Sequence, residues 1–421
     1  MEQYRIYRDI LCIDLKSFYA SVECAIRGLN PFTTPLVVAD KSRSNGSVVL
    51  AVTPYLKRRG IPSRCRLYEL PEDLGIIYAK PRMGTYLEYS TKIIGIYLDY
   101  VALEDIHIYS VDEVFLDVTS YLSYYKKTSE ELASMILQDI YDQTKIPATC
   151  GIGPNMLISK LALDLESKHS PNFIASWMYE DIPNKLWPLK PLSKMWGIGH
   201  NMERNLNRLG IYSVGDLAQY SRKKLKRFYG VIGEELYFHA HGIDQSIISE
   251  KLVYKPVDKS VGMGQMLFKD YQGDEILQIF LEMTDEVTKR LREKNKKAYT
   301  VHLGIMYSKS HPGGFSRQIT LPFPTMSEAE IYNACLDLFD KFYDGSPIRK
   351  VSIRLSQLVE ELHIQLNLFE DVNKKLTEQK LGQSLDHIRL KYGKTSVFRG
   401  SSLTEASTFL SRSKMIGGHN G

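Results

Sequence analysis

Tyr109-Ser110-Val111-Asp112-Glu113-Val114-Phe115-Leu116-Asp117 sets two adjacent carboxylates inside an apolar run of high β-propensity. Charge buried in a sheet is costly unless something neutralises it. A further carboxylate stands in the same setting near the N-terminus, in Ile10-Leu11-Cys12-Ile13-Asp14-Leu15. Two apolar strands that each bring an acid to one place call for a cation, and a divalent metal serving phosphate chemistry is the first expectation. A structural, solvent-facing acidic hairpin is the plainer alternative, and carboxylate placement alone leaves both open.

Working outward, Asp9 to Leu15 reads as a buried strand and Ser17 to Leu29 as a helix stopped by Asn30-Pro31. Tyr86 to Asp99 reads as a helix ahead of the acidic hairpin. Ser129 to Gln143 follows as another, opened by the capping box of Thr128 and Glu131. Residues 148–152 form a strand, and Asn155 to Ser167 a helix with Leu157, Leu161 and Leu165 on one face. With residues 20–83 set aside as an insertion, the order β, α, hairpin, α, β, α predicts a ferredoxin-like α+β sheet with helices on one face. Its first and third strands are neighbours, so Asp14 lies beside Asp112. The insertion holds short strands at 36–39 and 48–52 and a basic helix from Pro54 to Arg59.

A break at Pro183 to Pro191 leads into short, Gly-rich, basic helices as far as Gly242. A linker at 250–259 precedes a second α+β unit. Its strands are expected near 261–268, 299–307, 315–321 and 349–358, and its helices near 274–294 and 327–343. The stretch after Phe369 is polar and weakly periodic, open to a partner-binding or an unstructured reading.

The 421 residues, 43% hydrophobic and 24% charged, suit a multi-domain globular protein with a substantial core. No apolar run reaches membrane-spanning length and no signal peptide is legible, so no membrane role is expected. Five scattered cysteines without C-x-x-C spacing suggest reduced thiols and a cytoplasmic location. The net charge of +5 is mild, but its distribution is uneven. Lys190 to Gly230 carries nine Lys or Arg against Glu203 and Asp216, and Lys289 to Lys297 is a second basic cluster. Either could meet a polyanion or form a solvated helix face.

Asp14-Leu15-Lys16-Ser17-Phe18-Tyr19 and Ser110-Val111-Asp112-Glu113, in this order, resemble the D-x-x-x-F-[FY] and S-[IV]-D-E blocks of the Y-family (DinB/UmuC-type) translesion DNA polymerases. The likeness runs over nearly the whole chain and is nearest to the UmuC/UvrX-like branch of Gram-positive bacteria, phages and plasmids. It implies a multi-domain right-hand polymerase: palm at 1–19 and 84–182, fingers at 20–83, thumb at 183–249, linker at 250–259, little finger at 260–360 and a tail at 361–421. It implies Asp14, Asp112 and Glu113 as the catalytic acids, two Mg²⁺ ions held by these three and the Leu15 carbonyl, and Glu113 beside the primer 3′-hydroxyl. Tyr19 matches the steric gate that excludes a 2′-hydroxyl by clash, and Phe18 beside it is a further candidate nucleotide contact. Tyr55 and Arg58 (or Arg59) resemble the fingers block that holds the triphosphate, and Lys168 is carried over as a further phosphate contact. Lys160 could touch DNA or be solvated.

Leu192 to Ile211 reads as a helix-hairpin-helix, in which Gly197 and Gly199 let backbone amides approach phosphate. Arg317, Arg349 and Arg354 of the second α+β unit are candidate phosphate contacts. Gln365-Leu366-Asn367-Leu368-Phe369 is similar to the peptide by which bacterial polymerases dock on the sliding clamp. The expected partners are primer-template DNA, dNTPs and the clamp, with accessory SOS subunits as some UmuC-like members need them. Two rival classes stand beside this reading. A nucleotide cyclase would use the same palm acids but has no use for residues 190–369. A non-catalytic DNA- and clamp-binding repair factor would not need the acids.

Overall fold

Ile10–Leu15 forms strand β1, and its alternation decides the layers around it. Leu11, Ile13 and Leu15 enter one core cluster, while Ile10 and Cys12 enter another on the opposite face. The computed structural model describes residues 1–42, 46–252, 259–360 and 372–420. They divide into two units, Met1–Lys255 with His419–Gly421, and Pro256–Gly418.

In the first unit, helix α1 (Phe18–Ile26) follows β1 directly. A small sheet follows, made of β2 (Leu36–Val38), β3 (Ala51–Val52) and β4 (Ile77–Ala79), in the order β3-β2-β4. The strand expected over 48–52 is shorter than its apolar run, because Val48 makes only an isolated bridge to Arg66. Helix α2 (Pro54–Arg58) starts with proline at its first turn, where no amide hydrogen is needed. Helix α3 (Met83–Leu98) leads to β5 (Ile106–Ile108) and β6 (Glu113–Asp117). After the short α4 (Leu122–Tyr125) comes α5 (Ser129–Thr144), capped by Thr128 and Glu131 as their spacing predicts. Then come β7 (Ala148–Gly153), α6 (Met156–Leu165) and β8 (Ile174–Ser176).

The main sheet has the order β5-β6-β1-β7-β8. Its first four strands are antiparallel neighbours, the ferredoxin-like arrangement, and β8 adds in parallel to β7. The expectation of helices on one face is corrected. Residues of α3 and α5 share the cluster of Leu11 and Ile13, whereas Leu163 of α6 packs with Ile10, Cys12 and Phe115 on the other side. Glycine permits this second layer. A Cβ on Gly151 would stand 2.1 Å from the Ser159 carbonyl oxygen, and one on Gly153 2.6 Å from the Ser159 nitrogen.

Beyond β8 the first unit continues with α7 (His200–Asn207), α8 (Val214–Gln219) and α9 (Arg222–Ala240), the last broken at Gly230. Their apolar faces share a core with Leu157 and Leu161 of α6.

The second unit is a four-stranded antiparallel sheet, ordered β11-β10-β12-β9. Its strands are β9 (Ser260–Tyr271), β10 (Lys296–Tyr307), β11 (Gly314–Thr325) and β12 (Ile348–Glu360). One face is covered by α10 (Glu275–Glu293) and α11 (Glu328–Phe342). The stretch after Phe369 is not without structure: Val372–Tyr392 forms α12. Asp386 and Arg389 of α12 pair with Arg292 (2.6 Å) and Asp285 (2.8 Å) of α10. The basic cluster at 289–297 is thereby largely satisfied within the chain, since Lys289, Arg290 and Lys296 also pair with Glu293, Glu286 and Glu360. All five cysteines are buried and unpaired. No helix among the described residues is long and apolar enough to cross a membrane.

Candidate active site

Register brings the acids together. β1 and β6 pair antiparallel with Asp14 directly opposite Glu113, on the sheet face that also carries Cys12 and Phe115. Asp112 stands one residue before β6, in the bend rather than in mid-strand as its apolar flanks suggest. Its backbone carbonyl accepts from the Leu15 amide at 2.8 Å, which locks the bend to the end of β1. Its carboxylate accepts from the Ser110 hydroxyl at 2.7 Å. The chain then turns sharply from β1 into α1 through Ser17, a non-glycine residue at φ 52°.

The electrostatics are those of an anionic centre ringed by cations. Burial raises the Asp14 carboxyl to about 6, and the Asp112 and Glu113 charges push the same way against the pull of Lys168. Lys168 is held above the usual lysine value, because Asp14 and Asp164 outweigh its desolvation. Lys16 and Lys57 are both held below it, first by desolvation and then by neighbouring positive charge, against the pull of Asp14. Lys16 donates to the Lys168 carbonyl at 3.2 Å and feels Arg58 as well. Cations that repel one another at a single acidic centre are poised for a more highly charged anion than one carboxylate.

Glu113 is held from behind. Lys160 of α6, its side chain 7% exposed, reaches Glu113 Oε1 at 2.8 Å and Asp164 Oδ2 at 3.0 Å. Asp164 in turn binds Lys168 at 2.8 Å. These contacts outweigh desolvation and keep Lys160 well above its usual value. Lys160 is therefore neither solvated nor turned outward to DNA.

Tyr19 is half-buried beside this centre, its phenol pushed up by burial and by Asp112. Phe18 is 3% exposed and its ring belongs to the core, which corrects its expected contact with the nucleotide. In α2 the guanidinium of Arg59 stacks 3.8 Å over the Tyr55 ring, while Arg58 donates to the Phe32 carbonyl. The two arginines that sequence could not separate thus differ: Arg58 faces the Lys16 side and Arg59 is occupied by Tyr55.

In the hairpin before α7, Gly197 takes φ 89° and Gly199 is the N-cap of the helix. Both glycines are exposed, and a Cβ at either position would meet nothing within 4 Å. Trp196 donates to the Tyr109 hydroxyl at 3.3 Å, tying this hairpin to the loop that carries the acids.

Three segments match models of one family. The impB/mucB/samB family matches residues 13–164, its C-terminal domain residues 258–368, and the IMS family HHH motif residues 179–211. The chain belongs to the impB/mucB/samB family. It is 46% identical to the putative UV-damage repair protein UvrX of Bacillus subtilis, over 98% of this chain and 97% of that one. DNA polymerase IV 2 of the same organism is 36% identical over 97% of this chain and 98% of that one. Among solved structures, a Y-family DNA polymerase chimera superposes with a TM-score of 0.64 at 19% identity, covering 84% of this chain and 99% of the other. That likeness supports the fold, a palm, fingers, thumb and little finger arrangement.

Against this family background, several site residues escaped the sequence. Lys57 carries no motif signal beyond being basic and only the fold brings it to Asp14, while Lys16 follows Asp14 in the chain but meets Lys168 only through the fold. Among the described residues no group of three or more carboxylate, histidine or cysteine side chains is drawn together tightly enough to hold a metal. Glu113 is turned to Lys160 and Asp112 to Ser110. The donor set still fits a hard cation: carboxylates on facing strand ends, one of them raised by burial and by its neighbours. In the second unit Arg317 stacks 5.1 Å over Phe342 of α11, on the helix side of the sheet, not on the open face with Arg354. Arg349 bonds Asp270 at 3.3 Å. Gln365, Leu366, Leu368 and Phe369 lie outside the described residues.

Proposed function

We propose that this chain is a template-directed DNA polymerase that carries out translesion synthesis, extending a primer from dNTPs past damaged template positions. The observation that carries the reading is the β1–β6 register. It sets Asp14 across from Glu113, with Asp112 at the same strand ends, inside a ring of Lys16, Lys57, Arg58 and Lys168. In this reading Asp14, Asp112 and the Leu15 carbonyl would hold two Mg²⁺ ions, which would supply activation of the 3′-hydroxyl and neutralisation of the pyrophosphate charge. The chain's own groups do the rest. Lys160 fixes the Glu113 carboxylate toward the primer end, and the cation ring receives the triphosphate. Tyr55 and Arg58 close it from the fingers, with Arg58 preferred over Arg59 because its charge reaches Lys16 beside Asp14. Tyr19 stands under the sugar and rejects a 2′-hydroxyl by clash.

For the DNA, the exposed turn at Gly197 and Gly199 is assigned to backbone phosphate. The domain limits proposed are palm 1–19 and 84–182, fingers 20–83, thumb 183–249 and little finger 260–360. In the little finger the open sheet face with Arg354 is the stronger candidate for phosphate than Arg317 or Arg349, which have intramolecular partners. Gln365 to Phe369 is assigned to the sliding clamp on its sequence alone, and buried reduced thiols support a cytoplasmic location. Primer extension by the purified chain with Mg²⁺ and dNTPs tests the reading. Asp112→Asn and Glu113→Gln should each cut extension by about a thousandfold, and activity that survives both overturns it.

A further inference from the structure

Tyr19 and Glu23 lie one turn apart on α1, and Arg82 and Tyr86 stand at the same spacing at the start of α3. These four side chains close on one another. The Tyr86 ring stacks on Tyr19 with centroids 4.6 Å apart and planes 19° apart. Its hydroxyl donates to Glu23 Oε1 at 2.8 Å. Arg82 clamps both oxygens of that carboxylate, Nε to Oε1 at 3.0 Å and Nη2 to Oε2 at 2.7 Å, and Arg27 adds a further contact. Glu23 is fully buried and Tyr86 is 1% exposed.

A buried carboxylate in an apolar core is costly unless it is fully bonded, and a purely packing role would be served as well by Leu and Phe. What the charge-assisted bond adds is direction: the Tyr86 ring cannot tilt without breaking it. We infer that Tyr86 is the positioning residue for the Tyr19 ring, locked by Glu23 and Arg82, and that this lock sets how strongly the site excludes ribonucleoside triphosphates. The inference rests on the reading of Tyr19 as the sugar gate. Selection by clash works only if the obstructing ring does not yield, and Tyr19, half-buried, has no other face-on aromatic support among the described residues.

The test measures kcat/KM for a dNTP and the matching rNTP on an undamaged primer-template with the full chain. Tyr86→Leu should lower the dNTP/rNTP ratio by about threefold to tenfold, through faster rNTP use. Tyr86→Phe keeps the ring but loses the bond that locks it, and should lower the ratio by about twofold, less than Tyr86→Leu. In a Tyr19→Ala background Tyr86→Leu should change nothing further, since there is no ring left to position. If Tyr86→Leu does not fold, Arg82→Gln at the exposed end of the lock should still lower the ratio, by about twofold. A ratio that collapses with Tyr19→Ala but is untouched by Tyr86→Leu, or by Arg82→Gln in its place, overturns the inference and leaves the gate standing. A ratio indifferent to Tyr19→Ala overturns the gate itself, and the inference with it.

Discussion

At the scale of single residues, the site depends on which charges find partners. Lys160 and Glu113 are both nearly buried, with side chains 7% and 10% exposed. Lys160→Met would leave Glu113 desolvated without its cation, a change worth about 3 kcal/mol of stability. Extension kcat should also fall by about 10- to 100-fold, as for other supports of reacting groups. Denaturation and single-turnover extension measure the two effects, and an unchanged kcat would show that Glu113 needs no such support. Glu23 makes a pH prediction. Desolvation opposes its ionisation, but bonds from Arg82, Arg27 and Tyr86 outweigh it and hold the carboxyl below the ordinary glutamate value of 4.5. A depressed acid contributes stability that is complete above that value and is lost as pH falls toward its folded-state value. Wild type should therefore lose Tm faster than Glu23→Gln below about pH 4.5, the gap between them narrowing with acidity. A gap independent of pH would refute the assignment.

At the scale of elements, most strands and helices were legible because their apolar positions repeat at 2 or 3.6 residues. The capping box of Thr128 and Glu131 placed the start of α5 to the residue. Two readings failed for reasons periodicity does not carry. Asp112 looks like a mid-strand residue from its apolar flanks, but the Ser110 and Leu15 bonds hold it in a bend. Helices were expected on one face, yet α6 lies on the other, and the signal was present in Gly151 and Gly153 of β7. At Gly151 a Cβ would strike backbone atoms that cannot move aside. Gly151→Ala should therefore cost about 2–3 kcal/mol or more and loosen α6, and with it Lys160. Thermal denaturation checks this; a variant as stable as wild type would mean that α6 can shift freely.

At the scale of the whole molecule, α12 and the residues around Thr408 are part of the second unit's packing and not an appendage. Arg292, only 11% exposed on its side chain, relies on Asp386. Thr408 bonds Gln265 at 2.6 Å and Glu282 at 3.0 Å. Asp386→Ala in the full chain should lower the calorimetric transition of the Pro256–Gly418 unit, by about 3 kcal/mol, and leave that of the first unit in place. Equal shifts in both transitions would contradict this. The sequence by itself determined the family, the order of the elements and the three acids, because motif blocks and apolar periodicity are local properties of the chain. Only the tertiary structure decided that Lys160 turns inward to Glu113, that Lys57 reaches Asp14, that Tyr86 backs Tyr19, and that α12 docks on α10. Each of these is a partnership between residues far apart in sequence, and what a charge or ring does depends on what stands opposite it, which only packing specifies.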